Sequence, residues 1–118
     1  MKTKAIITSI SGKFLKNKEK KLLKREKPWG LILFKRNISS MKQLIKLTKS
    51  IRVLFKDKKF PIMIDEEGGR ICRLSNFIDN SPYSQKFFGD LYNLNKKKGL
   101  SVYKNYLFSI CKLLNSLG

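Results

Sequence analysis

The residues best able to do chemistry lie in one short stretch, Asp65-Glu66-Glu67-Gly68-Gly69-Arg70, with Arg73 three positions further on. A carboxylate accepts hydrogen bonds from hydroxyl groups and a guanidinium donates to ligand oxygens, and bonds of this charge-assisted kind are strong. Such a set can bind a polyhydroxylated ligand. It can equally form ion pairs between acid and arginine that only fix the loop. The residue types alone leave both interpretations open.

A third interpretation is an acid and base pair made by Asp65 and Glu67. If the strand continues past Asp65, the two carboxylates point the same way, about 6.5 Å apart, a spacing that glycoside hydrolysis can use. Such a pair needs one protonated member, whereas Arg70 and Arg73 favour two ionised ones. We therefore disfavour it, and expect Gly68-Gly69 to let the backbone turn sharply and approach a ligand closely.

The element that must position these acids is the apolar run from Phe60 to Ile64. A short run without polar alternation is typical of a strand covered on both faces. Residues 30–34 form a second such run, which ends in Lys35-Arg36-Asn37. Parallel strands end at one edge of their sheet, where α/β proteins bind ligands. We therefore expect Arg36 and Asn37 to lie near Asp65 and Glu67.

The rest of the chain alternates strands with amphipathic helices. The predicted strands lie over residues 5–10, 30–34 and 60–64. The predicted helices are one over 14–25 stopped by Pro28, one from Met41 to Phe55 capped by Ser39 or Ser40, and a short one opened by Pro82. The last predicted helix has an apolar core face formed by Leu100, Tyr103, Leu107, Ile110 and Leu114. This βαβαβα order predicts an α/β fold with a parallel sheet. The apolar helical stripes are predicted to be core.

The charge of the chain suggests an anionic partner but has a simpler explanation. The 118 residues are 42% hydrophobic, enough for one folded domain, and the net charge is +19. Lysines outnumber arginines by 22 to 5 and are spread along the chain, whereas proteins that read nucleic acid rely heavily on arginine. We attribute the charge to a solvated surface. A basic nucleic-acid-binding protein remains the alternative.

Histidine is absent, and Cys72 and Cys111 are the only cysteines. This composition excludes the usual zinc sites and any Ser-His or Cys-His nucleophile within these residues, so no metal is expected. Two buried free thiols are expected in place of a disulfide. The apolar run near the amino terminus is too short for a signal-peptide core, and no segment reaches the length of a membrane span. The expected location is cytoplasmic.

Two motifs at a fixed separation resemble a known enzyme family. Gly30-Leu31-Ile32-Leu33-Phe34-Lys35-Arg36-Asn37 is followed by a helix containing Gln43-Leu44 and then by Ile64-Asp65-Glu66-Glu67-Gly68-Gly69-Arg70-Ile71-Cys72-Arg73-Leu74. The combination resembles the start of glycoside hydrolase family 3, and more narrowly its bacterial β-N-acetylhexosaminidases of peptidoglycan recycling.

The resemblance implies a (β/α)8 barrel of which residues 1–118 form a truncated, single-domain amino-terminal part, about the first three βα units. A complete barrel has about 250 residues. The implied activity is removal of terminal N-acetylglucosamine from muropeptides with retention of configuration, without cofactor. Asp65 and Arg73 match substrate-binding residues of the family.

The resemblance also implies what these residues lack. The family's histidine acid/base and aspartate nucleophile are expected beyond Gly118, so no catalytic residue is assigned and the chain alone is expected to be inactive. The expected partners are an N-acetylglucosamine-containing glycoside and a complementary chain that would complete the barrel, and no membrane. A sugar-binding remnant without catalysis is a further alternative.

Overall fold

The computed structural model describes residues 2–118, which divide into two compact units with the boundary after Asp65. The first unit contains β1 (Lys4–Thr8), α1 (Asn17–Glu26), β2 (Pro28–Leu33), α2 (Met41–Phe55) and β3 (Ile62–Ile64), with a 3-10 turn at Lys35–Asn37. The second, Glu66–Gly118, contains α3 (Gln85–Leu94) and α4 (Lys96–Leu117). That the whole chain forms part of one barrel domain stays a prediction.

The first unit is built on a parallel sheet in the order β1-β2-β3. Ile7 lies opposite Gly30 in the β1–β2 pair, and Leu33 lies opposite Ile64 in the β2–β3 pair. The predicted α/β class with a parallel sheet is therefore confirmed. Since β2 and β3 run in the same direction, Phe34 and Asp65 both follow strand ends at one edge of the sheet.

Local chemistry sets the ends of the helices. The Ser40 hydroxyl accepts a hydrogen bond from the Gln43 backbone N–H at 3.2 Å, so this serine caps α2 as predicted. The other two starts differ from the prediction. The Glu19 carboxylate accepts from the Lys16 N–H at 2.8 Å, which starts α1 at Asn17 and not near Phe14. Ser84, not Pro82, caps α3.

The core of the first unit lies between the sheet and its two helices. Its most buried side chains include Leu23, Leu31, Leu33, Leu44, Leu47 and Ile51. The second unit buries Leu74, Phe88 and Leu117. The central strand has no polar side chain in its buried positions, which agrees with a strand covered on both faces.

The predicted core stripe of α4 is partly wrong. Leu100 and Leu107 are 46% and 40% exposed, whereas the less exposed positions of α4 include Gly99, Tyr106 and Leu117. A Cβ at Gly99 would lie 2.7 Å from the Tyr92 backbone, so this glycine lets the two helices approach closely. Cys111, on the same helix, is exposed and not buried as expected. Both cysteines are free.

Candidate functional site

Glu66 organises the loop at the start of the second unit. Its Oε2 accepts hydrogen bonds from the backbone N–H groups of Arg73 and Leu74, at 2.6 and 3.0 Å. Its Oε1 accepts from the Asn80 side-chain amide at 3.0 Å, and Asn80 is 2% exposed. The carboxylate thus ties the two ends of the loop 66–80 together. The middle acid of the Asp65-Glu66-Glu67 run is structural, a role that the sequence did not reveal.

Gly68 and Gly69 make the sharp turn within this loop. Both have positive φ, +74° and +60°, and a Cβ at Gly68 would lie 2.2 Å from the Tyr83 carbonyl oxygen. The Ile71 carbonyl accepts from the N–H groups of Glu67 and Gly68, and its N–H donates to the Gly68 carbonyl. The expected sharp turn at the glycine pair is therefore present. Its tightness is set by backbone-to-backbone contact with Tyr83.

Asp65 comes directly after β3, at the carboxyl edge of the sheet in the first unit, and is half-buried. In the 3-10 turn that follows the neighbouring strand β2, the Asn37 side chain is fully buried and bonds only to backbone. Its Oδ1 accepts from the Phe34 N–H at 2.9 Å, and its Nδ2 donates to the carbonyls of Ile10 and Gly12 at 3.0 and 2.8 Å. Asn37 thus joins the loop after β1 to the end of β2.

Arg73 lies in the second unit and is half-buried. Its backbone N–H is held by Glu66, so the position of its main chain is fixed by the same carboxylate that closes the loop. Glu67 and Arg70 are exposed, and within residues 2–118 neither takes part in an ion pair. Of the structural ion pairs considered, which join Asp65 or Glu67 to Arg70 or Arg73, those that involve Glu67 or Arg70 are therefore not formed in that part of the chain.

The structure also removes the basis for a catalytic pair of Asp65 and Glu67. The expected spacing required the strand to extend past Asp65, but β3 ends at Ile64. The Glu67 N–H bonds to the Ile71 carbonyl inside the glycine turn, so its backbone is no longer part of the extended strand. The geometry that would align both carboxylates is absent.

An aromatic cluster lies beside the Glu66 loop in the second unit. The ring of Tyr106 is 5.3 Å from that of Tyr83 and 5.0 Å from that of Phe88, which also contacts Tyr103 at 4.7 Å. Burial raises the pKa of the Tyr106 phenol, and the negative charge of Glu66 raises it further. Tyr106 therefore keeps its proton and can donate a hydrogen bond. The periodic pattern of the last helix predicts a core face that includes Tyr103 but not Tyr106.

Residues 2–118 contain neither a group of metal ligands nor a helix able to cross a membrane. Among residues 2–118, no three His, Cys, Asp or Glu side chains are grouped closely enough to hold a metal ion. In the same range, no helix combines the length and the apolar character needed to cross a membrane.

Among known proteins, this chain is similar to β-hexosaminidases. A β-hexosaminidase of Thioalkalivibrio sulfidiphilus is 31% identical over 94 residues, 80% of this chain and 26% of that protein. NagZ of Neisseria gonorrhoeae, solved in complex with N-trifluoroacetyl-D-glucosamine, is 33% identical with a TM-score of 0.54 over 60% of this chain and 21% of its own. No protein-family model matches the chain.

A second solved structure agrees on the fold. The glycoside hydrolase family 3 β-N-acetylglucosaminidase of a Paenibacillus species is 25% identical, with a TM-score of 0.58 over 64% of this chain and 15% of its own. The chain thus spans about a quarter of the curated relative's length and less of either solved chain. The similarity covers one portion of these enzymes, and it confirms the resemblance noted in the two motifs.

Proposed function

We propose that this chain, which is similar to part of several β-hexosaminidases and of a glycoside hydrolase family 3 enzyme, forms part of the substrate-binding rim of such a glycosidase. The observation that carries the proposal is the sequence match to β-hexosaminidases over 80% of the chain, which includes the acidic loop after β3. That loop is built with a defined geometry by Glu66 and the glycine pair, as a binding rim requires.

The proposed ligand is a terminal N-acetylglucosamine unit, as in a muropeptide. Asp65 accepts hydrogen bonds from the sugar hydroxyls and Arg73 donates to its oxygens, both as charge-assisted bonds. Support comes from the position of Asp65 at the carboxyl edge of a parallel sheet. It also comes from the homologous NagZ, which was solved with a glucosamine derivative. No cofactor is needed for these contacts.

The proposed reaction is hydrolysis with retention through a covalent glycosyl intermediate, which needs a nucleophile and a proton donor. The 118 residues contain no histidine to serve as that donor. In the proposal the reacting groups lie outside these 118 residues, and the complete enzyme acts in cytoplasmic peptidoglycan recycling. These 118 residues by themselves then bind the sugar without hydrolysing it.

The test is a titration of the ¹⁵N-labelled chain with N-acetylglucosamine, followed by NMR chemical shifts. We expect shifts that converge on residues 65–74. The variant Asp65→Asn should weaken binding at least about tenfold, because one charged acceptor is lost. Asp90→Asn is the matched control. Asp90 is an exposed carboxylate on α3 paired with Lys86, and its loss should leave the affinity unchanged.

Equal affinities for Asp65→Asn and the unmodified chain would remove Asp65 from the site. A release assay with a chromogenic N-acetylglucosaminide addresses the second part of the proposal. Turnover by the isolated chain would contradict the assignment of the reacting groups to residues outside these 118.

A further inference from the structure

A cleft of about 500 Å³ lies in the first unit, at the edge of the sheet where the strands begin. It is therefore at the opposite sheet edge from Asp65, because the three strands run parallel. Its walls come from the start of β2, the end of α1 and the turn that leads into β3. The lining residues used below are Lys24, Lys27, Trp29, Phe55, Asp57, Lys59 and Phe60.

The charge in this cleft is mostly positive. Lys24, Lys27 and Lys59 line it, and among residues 2–118 none of the three is engaged in an ion pair. The one acid in the wall, Asp57, is held in a turn where its Oδ1 accepts from the Lys59 backbone N–H at 2.8 Å. Three ammonium groups against one carboxylate leave a net positive site for an anion.

The same cleft has an aromatic wall. Trp29 is the only tryptophan of the chain and is 52% exposed. In the same cleft the rings of Phe55 and Phe60 are stacked, with centroids 3.9 Å apart and an interplanar angle of 3°. Phe60 is 5% exposed, so the stack adds a largely buried apolar surface to the cleft. An exposed indole beside cations is the combination that binds a flat, negatively charged ligand.

We propose that this cleft binds a phosphate-bearing nucleobase, as one unit of a single-stranded nucleic acid. The base stacks on Trp29 and the neighbouring phosphates pair with the three lysines. The volume lies within the range of about 300–1,000 Å³ usual for small-ligand sites. The net charge of +19 favours a strand over a free nucleotide, since every phosphate of a strand adds attraction. The proposal is independent of the glycosidase role.

Trp29 provides the measurement, because any change in tryptophan fluorescence comes from this cleft. The probe is a single-stranded oligonucleotide of about eight thymidines, titrated at several salt concentrations. We expect quenching on binding, and a nucleoside monophosphate should quench far more weakly. Equal affinity of the two probes would identify the ligand as a free nucleotide and overturn the assignment to a strand.

Two double variants of equal charge separate this site from general attraction to a basic protein. Lys24→Gln with Lys59→Gln should lower the slope of log affinity against log salt by about 1.4, about 0.7 for each lost phosphate contact. Lys18→Gln with Lys42→Gln removes two exposed lysines outside the cleft and should leave the slope unchanged. Equal loss in both variants, or binding without a change in Trp29 fluorescence, would overturn the proposal.

Discussion

At the scale of single residues, backbone conformation imposes the strictest demand in the acidic loop. Gly68 adopts a φ of +74° that residues with a side chain rarely reach, and it lies against the Tyr83 main chain. The Glu66 carboxylate then fastens the loop to Leu74 and Asn80. The shape of the candidate rim therefore depends on residues that do not themselves face a ligand.

Gly68→Ala should destabilise the protein by about 2 kcal/mol or more, because the new methyl group adds a steric clash to a strained φ. The measurement is the free energy of unfolding from urea denaturation. Gly89→Ala is the control, since Gly89 lies within α3 and a Cβ there meets nothing within 4 Å. It should stabilise by about 0.5–1 kcal/mol through helix propensity. If Gly68→Ala left the free energy of unfolding unchanged, the turn would have to relax around the new methyl group, and the prediction would be wrong.

At the scale of elements, local patterns account for most of what the sequence predicted. The apolar runs over residues 30–34 and 60–64 correctly predict β2 and β3, and the serine before Met41 correctly predicts the start of α2. These signals act over a few residues. The contact of Glu66 with Asn80 joins residues 14 positions apart and has no local signature. For the same reason the exposure of Leu107 on α4 was missed, since periodicity shows that a face is apolar but not what covers it.

The start of α1 predicts a response to acid. Burial raises the pKa of Glu19, but hydrogen bonds from the backbone N–H groups of Ser11 and Lys16 outweigh it and bring the pKa below its usual value. A carboxyl with a lowered folded-state pKa stabilises the fold above its unfolded-state pKa, and this contribution is lost as the pH falls through the folded-state value. Stability should therefore fall from about pH 5 downward.

The measurement is thermal unfolding of the unmodified chain and of Glu19→Gln between pH 7 and pH 3. The variant should be less stable by about 1 kcal/mol at pH 7, from the loss of the charged acceptor at the helix start, and the difference should shrink in acid. Lys18→Gln, one residue away and without a role in the cap, should show a constant difference. If the stability difference between Glu19→Gln and the unmodified chain did not depend on pH, this account would be wrong.

At the scale of the whole molecule, an open sheet edge and a large net charge have opposite effects on self-association. Within residues 2–118, β1 pairs only with β2, so its other edge has no strand partner. Ile6 and Ile7 on this strand are each 49% exposed. An apolar, unpaired edge favours association with another strand, whereas a charge of +19 on every copy opposes self-association. The edge of β1 is therefore expected to pair more readily with a less basic chain than with a second copy of this one.

This balance predicts that salt promotes self-association. Raising sodium chloride from about 20 mM to about 500 mM shortens the screening length from about 20 Å to about 4 Å, so copies can approach through β1. Light scattering should show a rising mean mass. Ile7→Lys should suppress the rise by placing a charge on the edge strand. Val53→Lys adds the same charge at a 68% exposed position on α2 and should suppress it less. Equal suppression by both variants would mean that total charge, not the β1 edge, controls association.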